Sequence, residues 1–214
     1  MSARSPWLTK GSLPNPSDHP VPSDGLRRAV RMVAVLNLAY FGVEFVAALA
    51  IGSVSLFADS VDFLEDASIN FLILAALGWP QRRRARVGMA LAGIILVPGL
   101  ATLWTAWRKF MTPVPPDPLA LSVAGGGALA VNLSCALLLS RFRGHSGSLT
   151  RAAFLSARND VLANVAIVAA GFATAYARAA WPDLVVGLGI ALMNAGAAKE
   201  VYEAAREEQR TASA

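Results

Sequence analysis

Apolar residues along this chain fall into long blocks, separated by short polar or Pro/Gly-bearing breaks. Six blocks lie near residues 29–50, 54–78, 87–107, 118–140, 152–176 and 183–203. Each has the roughly 20 residues that a helix needs to cross a bilayer. The breaks read IGSV, GWPQRRRARV, RKFMTPVPPDP, RFRGHSGSLT and ARAAWPD. Prolines in the third stop a helix and favour an extended turn, and Trp181 in the fifth suits a membrane–water interface. The pattern predicts an all-α membrane protein, a six-transmembrane-helix bundle in one domain of residues 27–205. Residues 1–26 lack a periodic apolar pattern and are rich in Pro, Ser and Asp, so a disordered tail is expected. They also lack the apolar core of a signal peptide. Residues 206–214 read as a short tail, with no soluble carboxy-terminal domain expected.

Composition agrees with the pattern. The chain is 55% hydrophobic and 15% charged, where an average soluble domain is about one-quarter charged. Its net charge of +5 would suit nucleic acid, but the distribution argues otherwise. With a cytoplasmic amino terminus, the inner segments carry Arg27, Arg28, Arg31, Arg82, Arg83, Arg84, Arg86, Arg141, Arg143, Arg151, Lys199, Arg206 and Arg210. The outer loops carry only Arg108, Lys109 and Arg178. That bias predicts both termini on the cytoplasmic side, with the basic clusters facing anionic lipid and no nucleic-acid surface.

Against this apolar background, six acids fall inside the blocks: Glu44, Asp59, Asp62, Glu65, Asp66 and Asp160. Each costs about 2.5–3.5 kcal/mol at mid-bilayer on insertion scales, so an intramembrane acid marks a functional site by default. Asp62 and Asp66, four apart, stack on one helix face, and Asp59 shares the stripe. Two such charges require either a proton on one of them or a divalent cation between them. Ser156, Asp160 and Asn164 share a face of the fifth block. Asp62, Asp66, Ser156 and Asp160 therefore form a candidate metal set. Its oxygen donors lean toward manganese or iron(II), and zinc also accepts carboxylates. Asn37 and Glu44 share a face of the first block, and Asn132 is an isolated amide in the fourth. With Asp59 and Asn164 they are expected beside the site or along its pathway. Glu65 and Arg158 are expected to pair across the second and fifth helices.

Other features exclude alternatives. Cys135 lies in an apolar run and reads as a small packed residue, without a CxxC or Cys/His cluster. His19 in the tail and His145 in the fourth break read as solvated side chains. No GxGD, HExxH or serine/histidine constellation suggests an intramembrane protease, so no enzyme and no prosthetic group is expected. Small residues at Gly187, Ala191 and Ala195, and at Gly125, Gly126 and Gly127, suit close helix packing.

The stretches NLAYFGVEFVAALAIGSVSLFADSVDFLED, WRKFMTPVPPDPLAL and WPDLVVGLGIALMNAGAAKEVYEAARE resemble the cation diffusion facilitator family of metal/proton antiporters, over about residues 27–205. By that resemblance Asp62 and Asp66 match the family's first metal motif and Asp160 closes its second, while Ser156 stands where the family has His or Asp. The resemblance implies alternating access, a divalent cation held between helices 2 and 5, and protons that displace it. It also implies a homodimer, and the expected location is the plasma (inner) membrane of a bacterium. The alternative is a non-transporting structural or regulatory partner subunit, which Ser156 and the lack of a soluble domain favour.

Overall fold

The computed structural model describes residues 24–76, 100–142 and 147–194, apart from the side chains of 73, 75, 76 and 147–158. These residues form six helices and no strand: α1 (Asp24–Ile51), α2 (Val54–Ala76), α3 (100–111), α4 (Pro118–Ser140), α5 (Gly147–Ala177) and α6 (Trp181–Asn194). Of the tail expected at 1–26, residues 24–26 instead open α1, and 1–23 lie outside the described residues, as do His19, His145, most of the third block and the end of the sixth.

Local chemistry sets the helix ends. Asp117 caps α4, its Oδ1 accepting the Ala120 amide at 2.7 Å, and Pro118 fills the first turn where an amide would be unpaired. The fourth apolar block therefore coincides with α4. α1 starts at Asp24, ahead of its apolar block, where an acid complements the positive helix end. It stops at Gly52, whose φ of 63° is the left-handed conformation that terminates a helix. Arg178 adopts a similar φ of 49° after α5, and its amide reaches back to Thr174 O at 2.9 Å.

Among the described residues, three helices are long and apolar enough to cross a membrane: α1, α4 and the Asn159–Ala177 part of α5. α2 is long enough but not apolar enough, because every 18-residue window within it contains Asp59, Asp62, Glu65 and Asp66. Its acids are instead shielded by neighbours.

α1 packs along α2, α4 along α5, and α1 crosses α4. One core cluster joins Ala48, Leu56, Val61, Leu121, Ile167 and Ile190 from five helices. A second joins Val30, Val33, Cys135 and Leu139, so Cys135 is a buried packing residue. Close approach depends on missing side chains. A Cβ on Gly187 would lie 2.7 Å from the Val54 carbonyl carbon, and one on Gly125 would lie 2.7 Å from Ile167 Cγ2. Gly127 leaves room for Tyr40, whose hydroxyl donates to Ala124 O at 2.6 Å, while Gly126 faces open space. Ala195, the third member of the α6 face, lies outside the described residues. Outward faces are strongly apolar: Val43, Val46, Trp104, Trp107, Phe110 and Leu119 are all exposed. A surface of this kind fits lipid better than water.

Candidate metal site

The polar residues of the bundle lie where α1, α2, α4 and α5 meet. α2 contributes Asp59 and Glu65, both buried, and Asp62 and Asp66, both half-buried. α1 contributes Asn37 and Glu44, α4 Asn132, and α5 Asp160 and Asn164, all buried. Helical periodicity explains the shared faces, since residues three and four apart stack. The rotation of each helix follows from its apolar stripe meeting the common core.

Two arrangements emerge. In the first, the carboxyl groups of Asp62 and Asp160 are hydrogen-bonding neighbours across α2 and α5. Asp66 is close enough for its charge to act on Asp160. Its Oδ2 accepts a hydrogen bond from Asn37 Nδ2 at 3.3 Å, and Asn37 Oδ1 faces Cys135 Sγ at 3.6 Å. Asp160 Oδ2 has no hydrogen-bond donor. Asp62 and Asp66 keep partial exposure, whereas Asp160 is only 6% exposed.

In the second, Asn132 Nδ2 donates to Asn164 Oδ1 at 2.9 Å, and Asn164 Nδ2 donates to Asp59 Oδ2 at 2.6 Å. Asp59 faces Glu44. Both oxygens of Glu44 and Oδ1 of Asp59 receive no donor from the described residues.

Of the expected metal set, Asp62 and Asp160 meet and Asp66 stands beside them. The side chain of Ser156 lies outside the described residues. So does that of Arg158, the expected partner of Glu65, whose Oε2 is buried without a hydrogen bond. Among the described residues no three His, Cys, Asp or Glu side chains close into a shell ready to hold an ion. The carboxylates would have to draw together around a cation. Chemically, the Asp62–Asp160 contact sets acceptor against acceptor, which needs either a proton or a cation between them.

One feature was not legible in the sequence. Asp183, in the first turn of α6, caps α2. Its Oδ1 accepts the Ser53 and Ser55 hydroxyls at 2.7 Å each and the Ser55 amide at 3.1 Å, and its Oδ2 accepts the Val54 amide at 2.9 Å. Lys109 of α3 lies 4.0 Å away and donates to Gly52 O at 2.5 Å. The serines of GSVS and the aspartate of WPD are the signals, but each reads as a cap for its own helix.

The sequence matches the family model of the cation efflux transmembrane domain over residues 30–207. That span includes both polar arrangements, α1 from residue 30 onward and the whole of α2 to α6. The chain thus belongs to the cation efflux family, also called the cation diffusion facilitators, and is a multi-pass integral membrane protein of a family of metal-cation transporters rather than enzymes.

Proposed function

We propose that the chain exports a divalent metal cation in exchange for protons by alternating access, with the cation held between α2 and α5. The observation that carries this reading is the carboxyl–carboxyl contact of Asp62 and Asp160 across those helices, with Asp66 beside it on an Asn37 tether. Asp62, Asp66 and Asp160 would be the charged ligands, and Ser156, four residues before Asp160 on α5, would add a hydroxyl. A metal takes up deprotonated ligands and releases their protons. A proton shared by Asp62 and Asp160 therefore leaves when the cation arrives, and protons arriving from the far side expel the cation. Oxygen donors suit manganese or iron(II) and accept zinc.

In this reading six helices cross the membrane, and both termini lie on the cytoplasmic side where Arg27, Arg28 and Arg31 cluster. The membrane is the inner membrane of a bacterium, and a homodimer would meet through apolar helix faces. The absence of a closed three-acid shell among the described residues favours a second reading, a non-transporting partner subunit.

Counterflow in proteoliposomes separates the two. Manganese, iron(II), zinc and cadmium are offered singly against an imposed pH gradient. The antiporter reading expects saturable uptake of at least one metal with opposing proton movement. Folded protein that moves none of them supports the partner reading.

A further inference from the structure

We propose that Glu44 and Asp59 share one proton between their carboxyl groups, and that this pair is a proton-carrying site separate from the Asp62–Asp160 cation site. The carrier role rests on the antiporter reading, whereas the shared proton stands on geometry alone.

Glu44 of α1 and Asp59 of α2 are both fully buried, at 0% exposure. Each faces the other. Among the described residues, three of their four carboxyl oxygens receive no N–H or O–H, and the fourth, Asp59 Oδ2, accepts from Asn164 Nδ2 at 2.6 Å. Two adjacent carboxylates without solvent cannot both stay ionised. An O–H on one carboxyl pointing at the other supplies the missing donor.

The described surroundings are acidic or neutral. Tyr40 lies near Glu44 on α1, Asp62 acts on both from α2, and Asp66 acts on Asp59. α5 brings Asp160 and the neutral Asn164, and α4 brings the neutral Asn132. Among the described residues, no Lys, Arg or His stands among these groups.

The amide chemistry favours a proton over a metal. Asn164 turns its N–H toward Asp59, and its oxygen is taken by Asn132. Asp59 Oδ2, already holding the Asn164 N–H, has less to offer a cation, and the Asn164 oxygen is not available as a ligand. Burial differs as well, since Asp62 and Asp66 are less deeply enclosed than Glu44 and Asp59.

Charge links the two sites. Asp59 lies one turn from Asp62, so a cation arriving at Asp62 and Asp160 favours the ionised form of the pair. The O–H bond then breaks with its electrons staying on the carboxylate, and H⁺ leaves to water. The pair passes from one negative charge to two, offset by the incoming cation. When the cation departs, the pair takes the proton back.

Infrared difference spectra of metal-free protein in lipid, in H2O and D2O, test the shared proton. Wild type should show a carboxylic-acid C=O component that shifts in D2O and is lost in Glu44→Gln and, independently, in Asp59→Asn. The Asp62–Asp160 pair should keep its own component in both variants. Proton release on adding manganese or zinc to weakly buffered protein tests the carrier role. Release should fall by about one proton per cation in Glu44→Gln while the cation still binds. An infrared component unchanged in both variants overturns the proposal. So does a loss of metal affinity in Glu44→Gln as large as that in Asp62→Asn, which would place the pair in the cation shell. If wild type binds and moves no metal, the antiporter reading and the carrier role both fail, and the infrared component still decides the shared proton.

Discussion

Asp183 Oδ1 accepts the Ser55 hydroxyl at 2.7 Å, so the first residues of α6 hold the first turn of α2. One buried carboxylate satisfies two hydroxyls and two amides there, with Lys109 of α3 beside it. Three helices are thereby joined at one end of the bundle, one turn from Asp59.

Replacing that carboxylate should damage the fold more than the transport chemistry. Asp183→Ala strands two hydroxyls and two amides and leaves Lys109 without its counter-charge. A loss of roughly 3–5 kcal/mol is expected, the range for removing one partner of a buried ionic contact. Thermal unfolding in detergent should show a large fall in midpoint, and Asp183→Asn a smaller one. An unchanged midpoint would mean that the cap is incidental.

Gly187 should tolerate little. A Cβ would lie 2.7 Å from the Val54 backbone, so Gly187→Leu must push α6 away from α2. A cost of about 1–3 kcal/mol is typical of such overpacking. Gly126, with nothing within 4 Å, is the internal control, and Gly126→Ala should leave the melting midpoint nearly unaltered. Equal effects at both positions would contradict the packing described.

The Asn132–Asn164–Asp59 chain should respond in a graded way. Asn132→Ala removes a neutral donor from Asn164, worth about 0.5–1.5 kcal/mol. Asn164→Ala removes the donor to Asp59 itself, a hydrogen bond to an acid and worth about 1.5–3 kcal/mol if that acid is ionised. Unfolding measurements on both single variants check the order, and a reversed order would show that Asn132 has another partner of greater weight.

Cation affinity should fall with pH. Ligand carboxylates must lose their protons to bind a metal, so acidification opposes binding. Titrations of manganese and zinc from pH ~8 to ~5.5, a range that burial can bring a carboxylate into, should show progressive weakening. A flat profile would mean that Asp62 and Asp160 hold no proton that the cation must displace.

Much of this architecture can be read from residue spacing. Asp62 and Asp66 fall on one face because they are four apart, and α4 begins where Asp117-Pro118 makes a cap and a first turn. Asn37 and Asn132, expected beside the site, hydrogen-bond Asp66 and Asn164 respectively. What spacing cannot supply is the register between helices. The stripe of Asp59, Asp62 and Asp66 looks uniform along α2, yet Asp59 meets Glu44 and Asn164 while Asp62 meets Asp160. That division depends on how α1 and α5 cross α2, which non-local packing sets. Asp183 is the same case, a residue in the first turn of one helix that serves another.

If Asp62 and Asp160 together hold the transported cation, equilibrium binding must depend on both. Isothermal titration of the purified protein in lipid nanodiscs, using the metal that proteoliposomes select, would compare wild type with Asp62→Asn and Asp160→Asn. Each variant should stay folded and lose at least about tenfold in affinity, or roughly 1.4 kcal/mol. Wild-type affinity in both variants would contradict that dependence and place the cation elsewhere.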